Sequence, residues 1–196
     1  MKRIVIISIL ILTNININAQ DKTNLQIEID VVAPQTKSYF YNDLNNVIYT
    51  SDIKKGEEGF NAVYGLKVAY DYKLFNKLSV GVLSGFHNDN KQSFSHVRLG
   101  GAIKYLFIGD YGYDIYLQLA NNFSLNKSKF KSGVNIKLGA SYLVYKVENM
   151  NYTFSLFWEQ NYYNVEGANK LIGFYDEIPR SLTVHSYGIG LGISFL

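Results

Sequence analysis

The ten C-terminal residues, Tyr187 to Leu196, read Tyr-Gly-Ile-Gly-Leu-Gly-Ile-Ser-Phe-Leu, and their bulky and tiny side chains never change sides. Successive side chains of a strand point to opposite faces. Tyr187, Ile189, Leu191, Ile193 and Phe195 therefore share one face, and Gly188, Gly190, Gly192 and Ser194 share the other. A soluble sheet hides its apolar face against a core; here the opposite face is nearly bare. Such a strip suits a strand with hydrocarbon outside and a cramped interior behind it, the arrangement of a narrow transmembrane β-barrel.

The start of the chain is consistent with export. Lys2 and Arg3 precede an apolar run from Ile4 to Leu12, and polar Asn14, Asn16 and Asn18 lead to Ala19. A basic start, a short apolar middle and a small residue at the cut describe a secretory signal peptide, so residues 1–19 are expected to be removed after Ala19. The run is about half of the roughly 20 residues that a spanning helix requires. Residues 20–196 then form one domain, since their length is ordinary for one and short for two. A mean hydropathy of −0.05 is too polar for a bundle of spanning helices, so a mature chain that enters a membrane must do so as strands.

There is no cysteine, which removes disulfides and thiolate metal sites from consideration. A net charge of +3 with no dense basic block outside the leader argues against nucleic acid as a partner. The 17 Tyr and 12 Phe, with 16 Gly and only 2 Pro, favour strands with small residues between large ones.

Period-two alternation predicts eight strands, over about 24–33, 61–72, 78–87, 95–107, 113–122, 132–145, 152–162 and from about 181 onward. The apolar parity continues in each: Leu25, Ile27 and Ile29 in the first, Leu66 and Val68 in the second, Val97, Leu99 and Ile103 in the fourth, Ile136 and Leu138 in the sixth. Connections after strands two, four and six are short, and the others are generally longer. Even strand number and alternating loop length are the pattern of an antiparallel barrel with short periplasmic turns and longer extracellular loops. Aromatic residues gather near both strand ends: Tyr70, Tyr72, Tyr105, Phe107, Tyr113, Tyr152 and Phe195 toward the short turns, and Phe86, Phe123, Trp158, Tyr162 and Tyr187 toward the loops. Two aromatic belts at the bilayer interfaces give that distribution.

Over nearly all of residues 24–196 this architecture resembles the small eight-stranded outer-membrane barrels, the class that includes the transmembrane domain of outer membrane protein A and the outer membrane protein X type. The resemblance implies an all-β, up-and-down barrel in the outer membrane of a Gram-negative bacterium, in contact with outer-membrane lipid and lipopolysaccharide and inserted by the barrel-assembly machinery. Members of the class usually end on an aromatic residue; here Phe195 is penultimate and Leu196 is last.

The register turns Glu28, Asp30, Asp71, Asp114 and Glu159 inward together with Lys67, Arg98, Lys104 and Lys137. Buried charges are costly unless paired, and an eight-stranded bore is just wide enough for side chains. A ladder of ion pairs filling a closed polar lumen is expected, with a small porin-like passive channel as the alternative. A lipid-modifying enzyme is a further alternative, with His87, Asp89 and Ser93 in one connection as its only candidate group, and no established motif joins them. His185 and Ser186, like Ser95 and His96, are adjacent in sequence and so point to opposite faces of a strand, which bars a direct nucleophile and base pair. A soluble ligand-binding barrel would place its large side chains inside. The expectation is a monomeric, non-enzymatic structural or surface-recognition protein with no catalytic, cofactor or metal residues. Its connections 34–60 and 163–180 would carry recognition through Tyr39, Tyr41, Tyr49, Tyr163, Phe174 and Tyr175, or the first of them would extend as a hairpin.

Overall fold

The computed structural model describes residues 23–42, 48–54, 62–89, 94–108, 112–165 and 178–195. The expected signal peptide lies outside the described residues, as do Ser93, Phe174 and Tyr175. Nine strands follow one another: β1 (Thr23–Asn42), β2 (Ile48–Lys54), β3 (Val63–Phe75), β4 (Leu78–Asp89), β5 (Phe94–Ile108), β6 (Tyr113–Ser124), β7 (Ser132–Val147), β8 (Met150–Asn164) and β9 (Ile178–Phe195). Eight of them, β1 and β3 to β9, pair antiparallel in sequence order, and β1 then pairs with β9, from Leu25↔Phe195 to Asn42↔Ile178. That last pairing closes the sheet. No described helix is long and apolar enough to cross a membrane, and strands in a closed ring satisfy every ladder group without one.

The alternation in the sequence sets which face points where. Along β3 the odd-one-out is absent: Tyr64, Leu66, Val68, Tyr70 and Tyr72 are exposed, while Gly65, Lys67, Ala69 and Asp71 are buried. In β6, Ile115, Leu117 and Leu119 are exposed and Tyr116, Gln118 and Ala120 are buried. Ile29, Ile103, Leu138, Leu156 and Leu191 complete an exterior of bare hydrocarbon, and Leu191, at 64% exposure, would be far from its equilibrium position in water. Aromatic rings bracket this band; Tyr105 and Phe107 pack edge to face at 5.2 Å and Tyr113 lies 4.6 Å from Tyr142 near the short turns.

Glycine sits where large interior groups need room. A Cβ on Gly139 would lie 2.5 Å from Cζ of Tyr116 and 2.8 Å from the carbonyl oxygen of Leu156, and one on Gly190 would lie 3.0 Å from the carboxylates of Asp30 and Glu28. The turns at the end of the barrel that holds Thr23 and Phe195 are tight, with Asn76–Lys77 joining β3 to β4 and Glu148–Asn149 joining β7 to β8. Glu148 adopts φ 46° there.

The first connection departs from the expected loop over 34–60. β1 runs on to Asn42, and β2 pairs with its upper half from Thr36↔Lys54 to Asn42↔Ile48. The hairpin alternative is the one the structure takes, so Tyr39, Tyr41 and Tyr49 belong to paired strands and not to a loop; Tyr41 is the register partner of Tyr49. The sequence-based strand stops at Ala33, just before Pro34, a residue that cannot donate to a ladder. The strand passes through it at a register shift between Pro34 and Thr36, where a missing donor is tolerated. With β9 on its other side, this extension stands as a three-stranded wall on one side of the mouth.

Two substitutions test orientation and crowding. Leu117→Arg, on the lipid side near mid-strand, is expected to lower stability in bilayers or micelles by about 2–4 kcal/mol. Gly139→Val is expected to cost about 1–3 kcal/mol through overpacking against Tyr116. Urea midpoints read from heat-modifiable gel migration measure both; a neutral Leu117→Arg would mean that this face does not meet hydrocarbon.

Candidate functional site in the lumen

All nine charged residues assigned inward line the bore, and eight of them form four ion pairs. Glu28 and Lys67 are register partners on adjacent strands, with Nζ 2.6 Å from Oε1. The other three pairs cross the lumen between strands that are not neighbours: Asp71 with Lys104 at 2.5 Å, Asp30 with Lys137 at 2.6 Å, and Arg98 with Glu159 at 3.2 Å. With five acids and four bases, one acid is left over. Asp114 is that residue; Ser141 donates to it at 2.8 Å, and among the described residues it forms no ion pair.

From the short turns upward the contents form tiers. Lys104 spans Asp71 and the side-chain oxygen of Gln26, which lies 2.6 Å away. Above it, Glu28 also accepts from Gln26 at 3.0 Å and Ser155 at 3.3 Å. Lys137, fully buried, rests its ammonium 3.7 Å from the ring centroid of Phe157, a cation–π contact that helps offset the loss of water. Ala69, Leu83, Ala102 and Ala120 fill one side, and Val32, Tyr116 and Phe157 another. The lumen is thus less uniformly polar than the sequence pattern suggested.

The next tier is a network. Arg98 donates to Asn122 at 3.1 Å and Asn161 at 3.1 Å besides its bond to Glu159, and Asn135 donates to Asn161 at 2.9 Å. Over it lie His87 and His96, cross-strand partners whose rings stack at 5.5 Å and 13°. Phe94, Phe130 and Tyr163 cover the histidines, with centroid separations of 4.9–5.2 Å among the three rings. Leu182 and Val165 are fully buried beside them.

Tyr163 is a correction to the expected loop surface. It is the last inward position of β8, only 7% exposed, and β8 continues to Asn164, so its ring belongs to the lid. Phe130 is the residue that sequence reasoning passed over. It lies in the Leu125–Lys131 connection, which turns back through bonds from Lys129 and Phe130 N–H to the carbonyl of Asn126 and from Lys131 N–H to Asn164. The signal was a lone aromatic among Lys127, Lys129 and Lys131. Of the rim group considered for catalysis, His87 stacks on His96 and lines one small gap with Asp89, and Ser93 lies outside the described residues; Ser95 faces the other way from His96 and donates to Asn88 at 2.7 Å. His185 is on the exterior, stacked on Trp158 at 6.0 Å. No group of three or more metal-ligating side chains gathers among the described residues.

Hydrocarbon outside, ion pairs inside and a closed ring of hydrogen bonds admit one solvent arrangement. The chain is a membrane-spanning β-barrel. No family model and no curated protein sequence matches it. Among solved structures it is similar to Neisserial surface protein A, at 14% identity and a TM-score of 0.42 over 85% of this chain and 96% of that one. It is also similar to the outer membrane protein OprG from Pseudomonas aeruginosa, at 13% identity and a TM-score of 0.45 over 89% and 96%. A third is the outer membrane protein AlkL in lipid bilayers, at 10% identity and 0.45 over 89% and 90%.

Removing one partner of a fully buried pair strands the other. Asp30→Asn is expected to destabilise the barrel by about 3–5 kcal/mol, whereas the double change Asp30→Leu with Lys137→Met costs much less, because no uncompensated charge remains. Urea unfolding of the two variants side by side separates the outcomes; equal losses would show that the pair's charge is not what matters.

Proposed function

We propose that this protein is an exported, monomeric, non-enzymatic barrel of the outer membrane of a Gram-negative bacterium, with a closed lumen that anchors a recognition surface on its loop side. The observation that carries the reading is the filled bore. The short-turn end opens into a cavity of about 320 Å³ whose wall includes the Asp71–Lys104 pair, and between it and the lid of Phe94, Phe130 and Tyr163 the other three ion pairs and the Asn122–Asn135–Asn161 network occupy the axis. The gap beneath the lid has a volume of only about 20 Å³ and is lined by His87, His96 and Arg98. That is about the room for one water.

Such a rigid plug supplies stiffness in place of passage. The β1–β2–β9 wall rises from the loop side, and loops positioned by a rigid scaffold are where recognition is commonly carried. Outer-membrane placement draws support from the signal-like leader, the apolar band with its two aromatic belts and the short-turn and long-loop asymmetry, which together describe barrels of that membrane.

Two measurements test the proposal. The protein should migrate heat-modifiably and fractionate with outer membranes, and it should be silent in planar bilayers after verified insertion. Discrete conductance steps from the unaltered protein would replace this reading with the porin-like channel; recovery from soluble periplasm would remove it altogether.

A further inference from the structure

Among the described side chains, only His96 leaves two buried polar atoms without a hydrogen-bond partner, and Nδ1 of His87, stacked on it at 5.5 Å, is a third such atom at the same place. Both rings are 1% exposed. Their surroundings leave one way out. Arg98, Glu159 and Asn161 fill the tier below, and the ring of His87 lies so close against Gly65 that a Cβ there would collide with it. On the loop side the pair meets rings: His96 packs edge to face with Phe130 at 5.9 Å and with Tyr163 at 5.7 Å. Phe130 is carried by the short connection Leu125–Lys131, which is tied to the barrel through bonds from Leu125 N–H to the carbonyl of Ser95 and from Lys131 N–H to that of Asn164.

This packing suits neutral rings. A neutral imidazole brings one donor, whereas an imidazolium brings two and a charge, and a buried charge is costly unless paired. The acidic groups facing the pair are Asp89 on β4 and Glu159 on β8, and Glu159 is already matched to Arg98. Positive charge comes from Arg98 on β5 and, farther down, from Lys67 and Lys137 in their own ion pairs. Lys37 of β1 is buried beside Val184 at the same gap, and Tyr163 adds a neutral phenol. At most one carboxylate, Asp89, is then available for two imidazolium rings held face to face above a guanidinium.

We propose that the His87–His96 stack is an acid-released latch on the lid of Phe94, Phe130 and Tyr163. Near neutral pH the uncharged rings stack and the lid packs on them. As pH falls through the ordinary histidine range, about 6.5, rings that swing out into water take up protons that the stack cannot hold, and the Phe130 connection lifts with them. The open state is the one that binds protons, so acid favours it: opening gains about tenfold per pH unit for one proton taken up and about a hundredfold for two. The tiers beneath keep their pairs, so release uncovers the Arg98 network on the loop side without opening a passage. Nothing in the latch depends on a partner there.

Magnetic resonance spectra of the full chain in detergent micelles, stepped from about pH 7.5 to about pH 4.5 across the ordinary histidine range, test the latch. Ring signals of His87 and His96 should shift together with the amide signals of Leu125 and Lys131, while Leu117 at mid-strand stays still. The double change His87→Phe with His96→Phe keeps two stacked rings and removes their titration, so its Leu125 and Lys131 signals should stay still as well. Movement that persists in the double variant would assign the change to a carboxylate such as Asp89. Rings that take up protons while the connection stays put, or a Leu117 signal that shifts in step with it, would mean that no separate latch exists, and so would rings and connection unchanged throughout. Each of these results overturns the proposal, and the comparison of rings, connection and mid-strand is made in the unaltered protein, so it decides even if the double variant fails to fold.

Discussion

Everything in this molecule follows from the need to leave no backbone N–H or C=O facing hydrocarbon. A flat sheet of these strands would expose two edges, each a row of unmet donors and acceptors that would cost several kcal/mol apiece in lipid. Pairing β1 with β9 removes both edges at once. Closure in turn fixes the rest: with eight strands the bore is narrow, so whatever points inward is crowded, and whatever points outward must be content in acyl chains.

The interior meets that crowding in two ways. Glycines at 139 and 190 make room for the phenol of Tyr116 and the carboxylates of Glu28 and Asp30. Charges then pair across the space, and two of the pairs draw extra donors, as Glu28 does from Gln26 and Ser155 and Glu159 does from Asn135 and Asn161. Such extra donors help offset the cost of desolvating an ion. Satisfaction is incomplete: single oxygens of Asp30, Asp71 and Tyr116 lack partners along the bore, and the stacked imidazoles of His87 and His96 leave three ring nitrogens without partners under a lid whose rings pack on them.

Strand parity was legible in the sequence because one face of every stave is hydrocarbon and period two leaves no second choice; Leu117, Leu138 and Leu191 are each on the side that alternation assigns. The inward set of nine charges was legible for the same reason. Who pairs with whom was not. Lys137 is the register partner of Glu159, yet its ammonium reaches across to Asp30, 107 positions away, because partners across a bore depend on strand stagger that a linear pattern does not encode. The lid was hidden for a different reason: Phe130 occupies a connection with no periodicity, and Tyr163 sat at a strand end that ran two residues farther than its alternation advertised. The β1–β2 extension was masked by Pro34, whose usual veto on strand interiors yields at a bulge.

The seam that closes the ring joins the barrel's own first strand to its last. A chain growing from its N-terminus therefore carries seven staves with Ile29, Leu66, Leu117 and Leu138 already made, and no way to complete the cylinder until Phe195 has been added. Until then the first strand has no partner for the edge that β9 fills, and that row of donors and acceptors stays open.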